Sequence, residues 1–227
     1  KNYQILHINR DTMTKIPILG ITGQPAGSFN GQLALAHTYG KGLADSCRNT
    51  VKAVSYFLYD IKIDNYISLT MDAVGILNDF VGGVTLEVTD DFSNIDETLV
   101  KGETITLNGK QALTYVRARQ GMDDNTNTNR MNRQQQYMKN LSQKMKTSFE
   151  KDNSLILNLY NALSDYIVTD CGINEFSDMA KSMSDYNNAG IISPKGEIFK
   201  GEEFTEFHVD DELLKELIVN LFYNIYR

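Results

Sequence analysis

Residues 115–138, YVRARQGMDDNTNTNRMNRQQQYM, gather four of the chain's seven arginines in a protein of formal net charge -7. Arg117 and Arg119 precede a loop of Asp, Asn and Thr, and Arg130 and Arg133 run on into glutamines. A guanidinium is a planar fork that donates two parallel hydrogen bonds to two oxygens, so clustered arginines suit a phosphate or a carboxylate. An acidic chain lacks the basic footprint that nucleic acid or an anionic membrane requires, which leaves a small, defined anion. Arg10 adds a further guanidinium at the end of an N-terminal strand, and ligands of open α/β sheets bind at such ends. Pyrophosphate, with several charged oxygens for several forks, is the natural guest.

The elements that must position these groups follow from local pattern. A long helix is expected from about Asn129 to Phe149. At 100° per residue it places Met131, Met138, Leu141 and Met145 on one apolar stripe, with Gln134 inside the stripe and Arg130 and Tyr137 on its flank. A glutamine there costs about 1–3 kcal/mol unless its amide finds partners. Arg130 falls in the first turn, where free backbone N–H groups and the helix dipole already favour an anion. Arg117 and Arg119 end a shorter helix that opens on an Asn108–Gln111 capping box. Two residues apart, they converge only if the backbone turns extended between them. The competing reading pairs the arginines with local acids such as Asp11, Asp123 and Asp124, in weak surface bridges. Arg133 points furthest from the stripe and is expected at the surface.

Around this core of chemistry the pattern reads as strand (Tyr3–Asn9), loop (16–31), a short helix in LALAHTYGKG, and a helix in SCRNTVKAVSYFLYDIK. NYISLT, MDAVGILNDFVGG and VTLEVT then suggest strand, helix and strand, hence a βαβ unit and an α/β sheet. Helical spacing returns in LILNLYNALSDYI and ELLKELIVNLFYNIY, with strands around glycine turns between them. No linker or repeat divides the chain, so 1–227 is expected to be a single domain. With 41% hydrophobic and 22% charged residues the composition is that of a folded protein.

No apolar run approaches the ~20 residues needed to span a bilayer. The chain opens directly on a strand, which suggests that further strands and an anchor precede it. Cys47 and Cys171 are either two buried thiols or one disulfide of an extracellular protein. His7, His37 and His208 are scattered and form no zinc pattern.

The words INRDTM, YGKG, MDAVGILNDFVGGVTLEV, LNGKQALTYVRAR and NRMNRQQQYM occur in this order, from the first residues to about residue 146. In this the chain resembles the LytR–CpsA–Psr proteins of bacterial cell envelopes. The resemblance implies a three-layer α/β/α sandwich with a central mixed sheet, held outside the cell by an N-terminal membrane helix. It implies an extracytoplasmic phosphotransferase that moves a glycopolymer, such as teichoic acid or capsule, from a polyprenyl-pyrophosphate carrier to peptidoglycan. Carried over by position, Arg10, Arg117, Arg119, Arg130 and Gln134 match the pyrophosphate-binding residues. Arg10, Asp11, Arg119 and Arg130 match the catalytic set, with Asp11 expected to orient Arg10. Mg²⁺ is implied as cofactor, but the aspartates that hold it belong to a pattern upstream of RDT that this sequence does not contain. The chain also carries Asn127 where the family pattern has Asp, Ala34 for an Asn, and Lys41 in place of a glycine.

Two functions of different class follow. One is the transferase, in which arginines and metal stabilise charge on phosphate oxygens while an acceptor hydroxyl attacks. The other is an envelope domain that binds polyprenyl phosphate or glycan without transfer, for which Asn127 and the missing aspartates speak. A cytosolic phosphosugar or nucleotide enzyme is disfavoured, because FVGGV is too short for a phosphate loop and lacks the lysine that should follow.

Overall fold

The computed structural model describes the chain except for Ile21, Gln120, Gly121, 123–126, Asn153, Glu203 and 224–227. It contains strands β1 (Asn2–Leu6), β2 (Met13–Leu19), β3 (Pro25–Gln32), β4 (Ile67–Leu69), β5 (Thr85–Glu87), β6 (Thr104–Thr106), β7 (Ile167–Thr169), β8 (Asn187–Ile192), β9 (Gly196–Lys200) and β10 (Thr205–Val209). The helices are α1 (Leu43–Phe57), α2 (Asp72–Phe80), α3 (Gly109–Arg117), α4 (Asn127–Lys151), α5 (Ser154–Leu163), α6 (Ile173–Asp185) and α7 (Asp211–Phe222). Among the described residues the strands pair in twos: β1 with β8, β2 with β3, β4 with β7, β5 with β6, and β9 with β10.

The chain forms two compact units. One comprises Lys1–Gln4, Leu69–Ile167 and Cys171–Ile191; the other comprises Ile5–Ser68, Val168–Asp170 and Ile192–Arg227. The first has a core of Val84, Leu86, Val88, Phe92, Leu99 and Leu107 under α3 and α4, which contribute Tyr115, Val116, Tyr137 and Leu141. Burying such side chains stabilises by about 1.5–3 kcal/mol each before the entropy of ordering is subtracted. The second unit packs Ile16, Leu33, Ala36 and Ala53 in one cluster and Phe57, Leu58, Leu214 and Ile218 in another.

Residues 16–31, expected as a loop, instead form most of an antiparallel hairpin. Ile16 pairs with Phe29 and Lys15 with Asn30, with a register shift between Pro17 and Leu19. Gly, Pro and Ser suppressed the strand signal, although an edge strand tolerates them. The expected βαβ unit is not closed between β4 and β5: β5 runs antiparallel to β6, with Leu86 opposite Ile105. Helix α6 and strand β6 add elements not foreseen. No helix among the described residues is long and apolar enough to cross a membrane.

Gly83 makes the tight turn that delivers the chain from α2 into β5, and Gly109 allows the close approach of α3 to α2. Gly83 has φ +83°, and a Cβ there would stand 2.7 Å from Leu107 O. Gly109 opens α3 against α2, where a Cβ would meet Gly75 O at 2.8 Å. Fully buried Asn78 closes the same turn: its Nδ2 donates to Leu107 O at 2.7 Å and its Oδ1 accepts from Val84 N at 3.0 Å.

Candidate functional site: the α3–α4 arginine cluster

Helix α3 begins on the expected capping box. Gln111 N donates to Asn108 Oδ1 at 2.9 Å, and Asn108 N donates to Gln111 Oε1 at 3.0 Å. It ends at Ala118, whose backbone turns extended (φ -53°, ψ 136°). This is the condition under which arginines two apart can address one ligand. Arg117 and Arg119, on either side of that turn, are both exposed. The carbonyl end of a helix carries partial negative charge, which helps to hold a guanidinium beside it.

The start of α4 fixes the end of α3. Arg133, expected at the surface, is 1% exposed. Its Nε donates to Tyr115 O at 2.9 Å, one Nη donates to Ala118 O, and the other pairs with Asp90 Oδ2. Its guanidinium also lies 5.5 Å from the centre of the Phe92 ring. A helix leaves its last carbonyls without intrahelical partners, and a buried arginine with five donors satisfies two of them here. Gln134 assists, with Nε2 donating to Val116 O at 3.1 Å. The cost of a glutamine in the apolar stripe is thus met by backbone, and its amide nitrogen is engaged there. The buried face of α4 runs through Arg133, Tyr137 and Leu141 with Met145 packed beside them, whereas Met138 is 44% exposed. The stripe is therefore turned by roughly 60° from the expected one.

Arg130 lies in the first turn of α4 and is half-buried. One of its Nη atoms donates to Asn127 Oδ1. Asn127 thus supplies a neutral oxygen at the position of the expected aspartate. The alternative acids Asp123 and Asp124 lie outside the described residues. Tyr115 anchors the arrangement from below. It is fully buried, its hydroxyl donates to Gln136 Oε1 at 2.5 Å, and its ring stacks on Phe92 at 5.4 Å. Burial pushes the phenols of Tyr115 and Tyr137 above the usual tyrosine range, so both remain protonated donors.

Arg10 and Asp11 sit in the second unit, between β1 and β2. Arg10 is exposed, and its Nε lies 3.6 Å from Asp11 Oδ1. Asp11 Oδ1 also accepts from Gln32 Nε2 at 3.2 Å, and Asn9 Oδ1 receives Asp11 N at 2.9 Å. Gln32 Nε2 is itself tied to Thr205 O at 2.7 Å. The carboxylate is thus held between β3 and Arg10, a geometry that orients the guanidinium.

Among the described residues no group of three His, Cys, Asp or Glu side chains could hold a metal ion. Cys47 and Cys171 are both buried and are not joined in a disulfide.

Sequence reasoning missed the Arg133–Asp90 clamp, Asn78 and Gln136. The available signal was the unfilled carbonyl end of α3, which needs donors from whatever packs across it.

Arginines thus extend from the end of α3 and from the start of α4 within an α/β fold. The LytR_cpsA_psr family model matches residues 1–211, and the chain belongs to that family. A polyisoprenyl-teichoic acid–peptidoglycan teichoic acid transferase, TagU of Bacillus licheniformis, is 33% identical over 144 residues, covering 63% of this chain and 42% of the relative. TagV of Bacillus subtilis, which bears the same transferase description, is 32% identical over 155 residues, covering 65% and 36%. The match thus spans about two fifths of these relatives' length. The crystal structure of Bacillus subtilis TagT superposes with a TM-score of 0.71 at 23% identity, covering 97% of this chain and 78% of that one, and shows the shared fold.

Proposed function

We propose that the chain is the phosphotransferase domain of an envelope enzyme that attaches a glycopolymer, of the teichoic acid or capsule kind, to peptidoglycan. The donor in this reading is a polyprenyl-pyrophosphate-linked glycan, and the reaction takes place on the outer side of a bacterial membrane. The observation that carries it is the α3–α4 junction: Arg117 and Arg119 leave α3 through the extended Ala118, while Asn127 holds Arg130. Together with family membership, this set suits the charged oxygens of a pyrophosphate.

In the reaction an acceptor hydroxyl forms a new O–P bond at the phosphorus nearest the glycan. The P–O bond to the second phosphorus breaks, polyprenyl phosphate leaves, and the hydroxyl proton passes to a carboxylate. Arg117, Arg119 and Arg130 neutralise charge as it grows on the bridging and terminal oxygens. Arg10, which Asp11 steadies within the second unit, is a pyrophosphate residue by resemblance alone. Gln134 contributes by holding Val116 O and thereby the end of α3. Mg²⁺, implied by the family, is assigned no ligand on this chain.

A second reading, a domain that binds such a carrier without transfer, is favoured by Asn127 standing where an acid is expected. The two are separated by purifying the full-length protein and following transfer of a labelled glycan from a lipid-linked donor to peptidoglycan oligomers. Transfer that is lost in Arg119→Ala and Arg130→Ala, with folding intact, supports the enzyme. Carrier binding with no transfer by the unaltered protein supports the binding domain.

A further inference from the structure

Residues 13–59 hold four cations, Lys15, Lys41, Arg48 and Lys52, and the single acid Asp45, in a chain of formal net charge -7. The segment comprises the β2–β3 hairpin and α1, all within the second unit, and the four cations are exposed. A basic footprint that the chain as a whole lacks is thus concentrated on these elements. Arg48 pairs with Asp45, and among the described residues no carboxylate pairs with Lys15, Lys41 or Lys52. Arg48, Lys52 and Tyr56 follow one another at i, i+4 spacing and share a face of α1. Lys15 of β2 joins them: its Nζ lies 4.7 Å from the centre of the Tyr56 ring, and Lys52 Nζ lies 5.7 Å from the same centre. Two ammonium groups drawn to one ring repel each other, and an anion beside them relieves that repulsion.

The loop that leads into α1 carries an apolar tip. Leu43 is 74% exposed and has φ +46°, a left-handed conformation that residues other than glycine seldom adopt. A leucine exposed on a relaxed loop needs no explanation, but one held there by a strained backbone does. The loop is firmly seated. A Cβ at Gly40 would stand 2.4 Å from Ser46 Cα, and Gly42 N donates to Ser46 Oγ at 3.2 Å. Tyr39, also exposed, leans on Phe29 of β3 with the ring centres 5.0 Å apart. Lys41 stands between Tyr39 and Leu43 in sequence. An aliphatic tip beside tyrosine and lysine matches the layers of a lipid interface: acyl boundary, headgroup level and phosphate. A phosphate polymer in water offers nothing to the leucine.

We propose that the β2–β3 hairpin and α1 dock on an anionic lipid bilayer. Leu43 and Tyr39 enter the interface, and Lys15, Lys41, Arg48 and Lys52 meet the phospholipid phosphates. Only the choice of leaflet rests on the envelope reading above; the affinity for lipid does not.

Flotation of the purified chain with vesicles of equal parts phosphatidylglycerol and phosphatidylcholine tests this, with pure phosphatidylcholine vesicles as the neutral counterpart. The chain should float with the anionic vesicles, and the bound fraction should fall as salt is raised. Leu43→Gly suits the left-handed backbone and should unfold no earlier than the unaltered chain, while its partition coefficient falls by at least about fivefold. Lys15→Gln/Lys52→Gln should lower binding to anionic vesicles by about tenfold or more. Arg119→Ala/Arg130→Ala, which removes guanidiniums assigned to the pyrophosphate, should stay within about twofold, so this test and that of the transferase are read separately. Failure to float with anionic vesicles overturns the proposal, as does equal flotation with phosphatidylcholine alone. Binding that survives either the leucine or the lysine change overturns it too. So does binding lost in Arg119→Ala/Arg130→Ala, which would return the lipid to the arginine cluster.

Discussion

Arg133 and Asp90 form an ion pair in which the guanidinium is 1% and the carboxylate 23% exposed, and the same guanidinium holds two carbonyls at the end of α3. The arginine expected at the surface is instead the clamp that fixes the end of α3. Replacing it by Ala strands the Asp90 charge and leaves Tyr115 O and Ala118 O without donors. The expected loss of stability is about 3 kcal/mol, reduced from the fully buried case because Asp90 is partly solvated. Urea denaturation measures it, and Asp90→Asn should cost clearly less.

Much of the helical framework is legible in the residues themselves. The capping box at Asn108 and Gln111 and the helices α1, α2, α4 and α7 follow from periodicity and turn chemistry. What was not visible depends on partners distant in sequence. Arg133 reads as surface because arginine is seldom buried without a partner, and its partners lie 15 to 43 residues away. The β2–β3 hairpin hides behind Gly, Pro and Ser, whose strand propensity is poor until pairing overrides it. Gln134, inside the apolar stripe, reads as requiring a partner, and that partner is the backbone of Val116.

Asn127 holds Arg130 through a neutral oxygen. Asn127→Asp should retain or raise glycan transfer, since a charged acceptor makes the stronger hydrogen bond. Asn127→Leu should lower transfer severalfold and leave the urea midpoint nearly unchanged. Steady-state rates of the two variants, measured side by side in the full-length protein, check this.

Asn78 satisfies Val84 N and Leu107 O within the core. Asn78→Leu removes both bonds and buries two unpaired backbone groups, at about 1–3 kcal/mol each. Thermal unfolding should show a marked fall in Tm, far beyond that of substitutions on the exposed face of α2.

Burial lowers the pKa of His7 below its usual 6.5. The unfolded chain then binds the proton more readily than the folded one, so stability rises with pH across the window between the two values. The His7 contribution is fully present above 6.5 and is lost as pH falls through the lower, folded value. His7→Gln should flatten the dependence of the unfolding midpoint over that window, measured by denaturation at a series of pH values.

The central claim is that the α3–α4 arginines hold a pyrophosphate, and ³¹P NMR of a short polyprenyl pyrophosphate titrated with the protein tests it most directly. The two phosphorus resonances should shift and broaden with the unaltered chain and stay as in free solution with the Arg119→Ala/Arg130→Ala variant. Equal perturbation by both proteins would contradict the account.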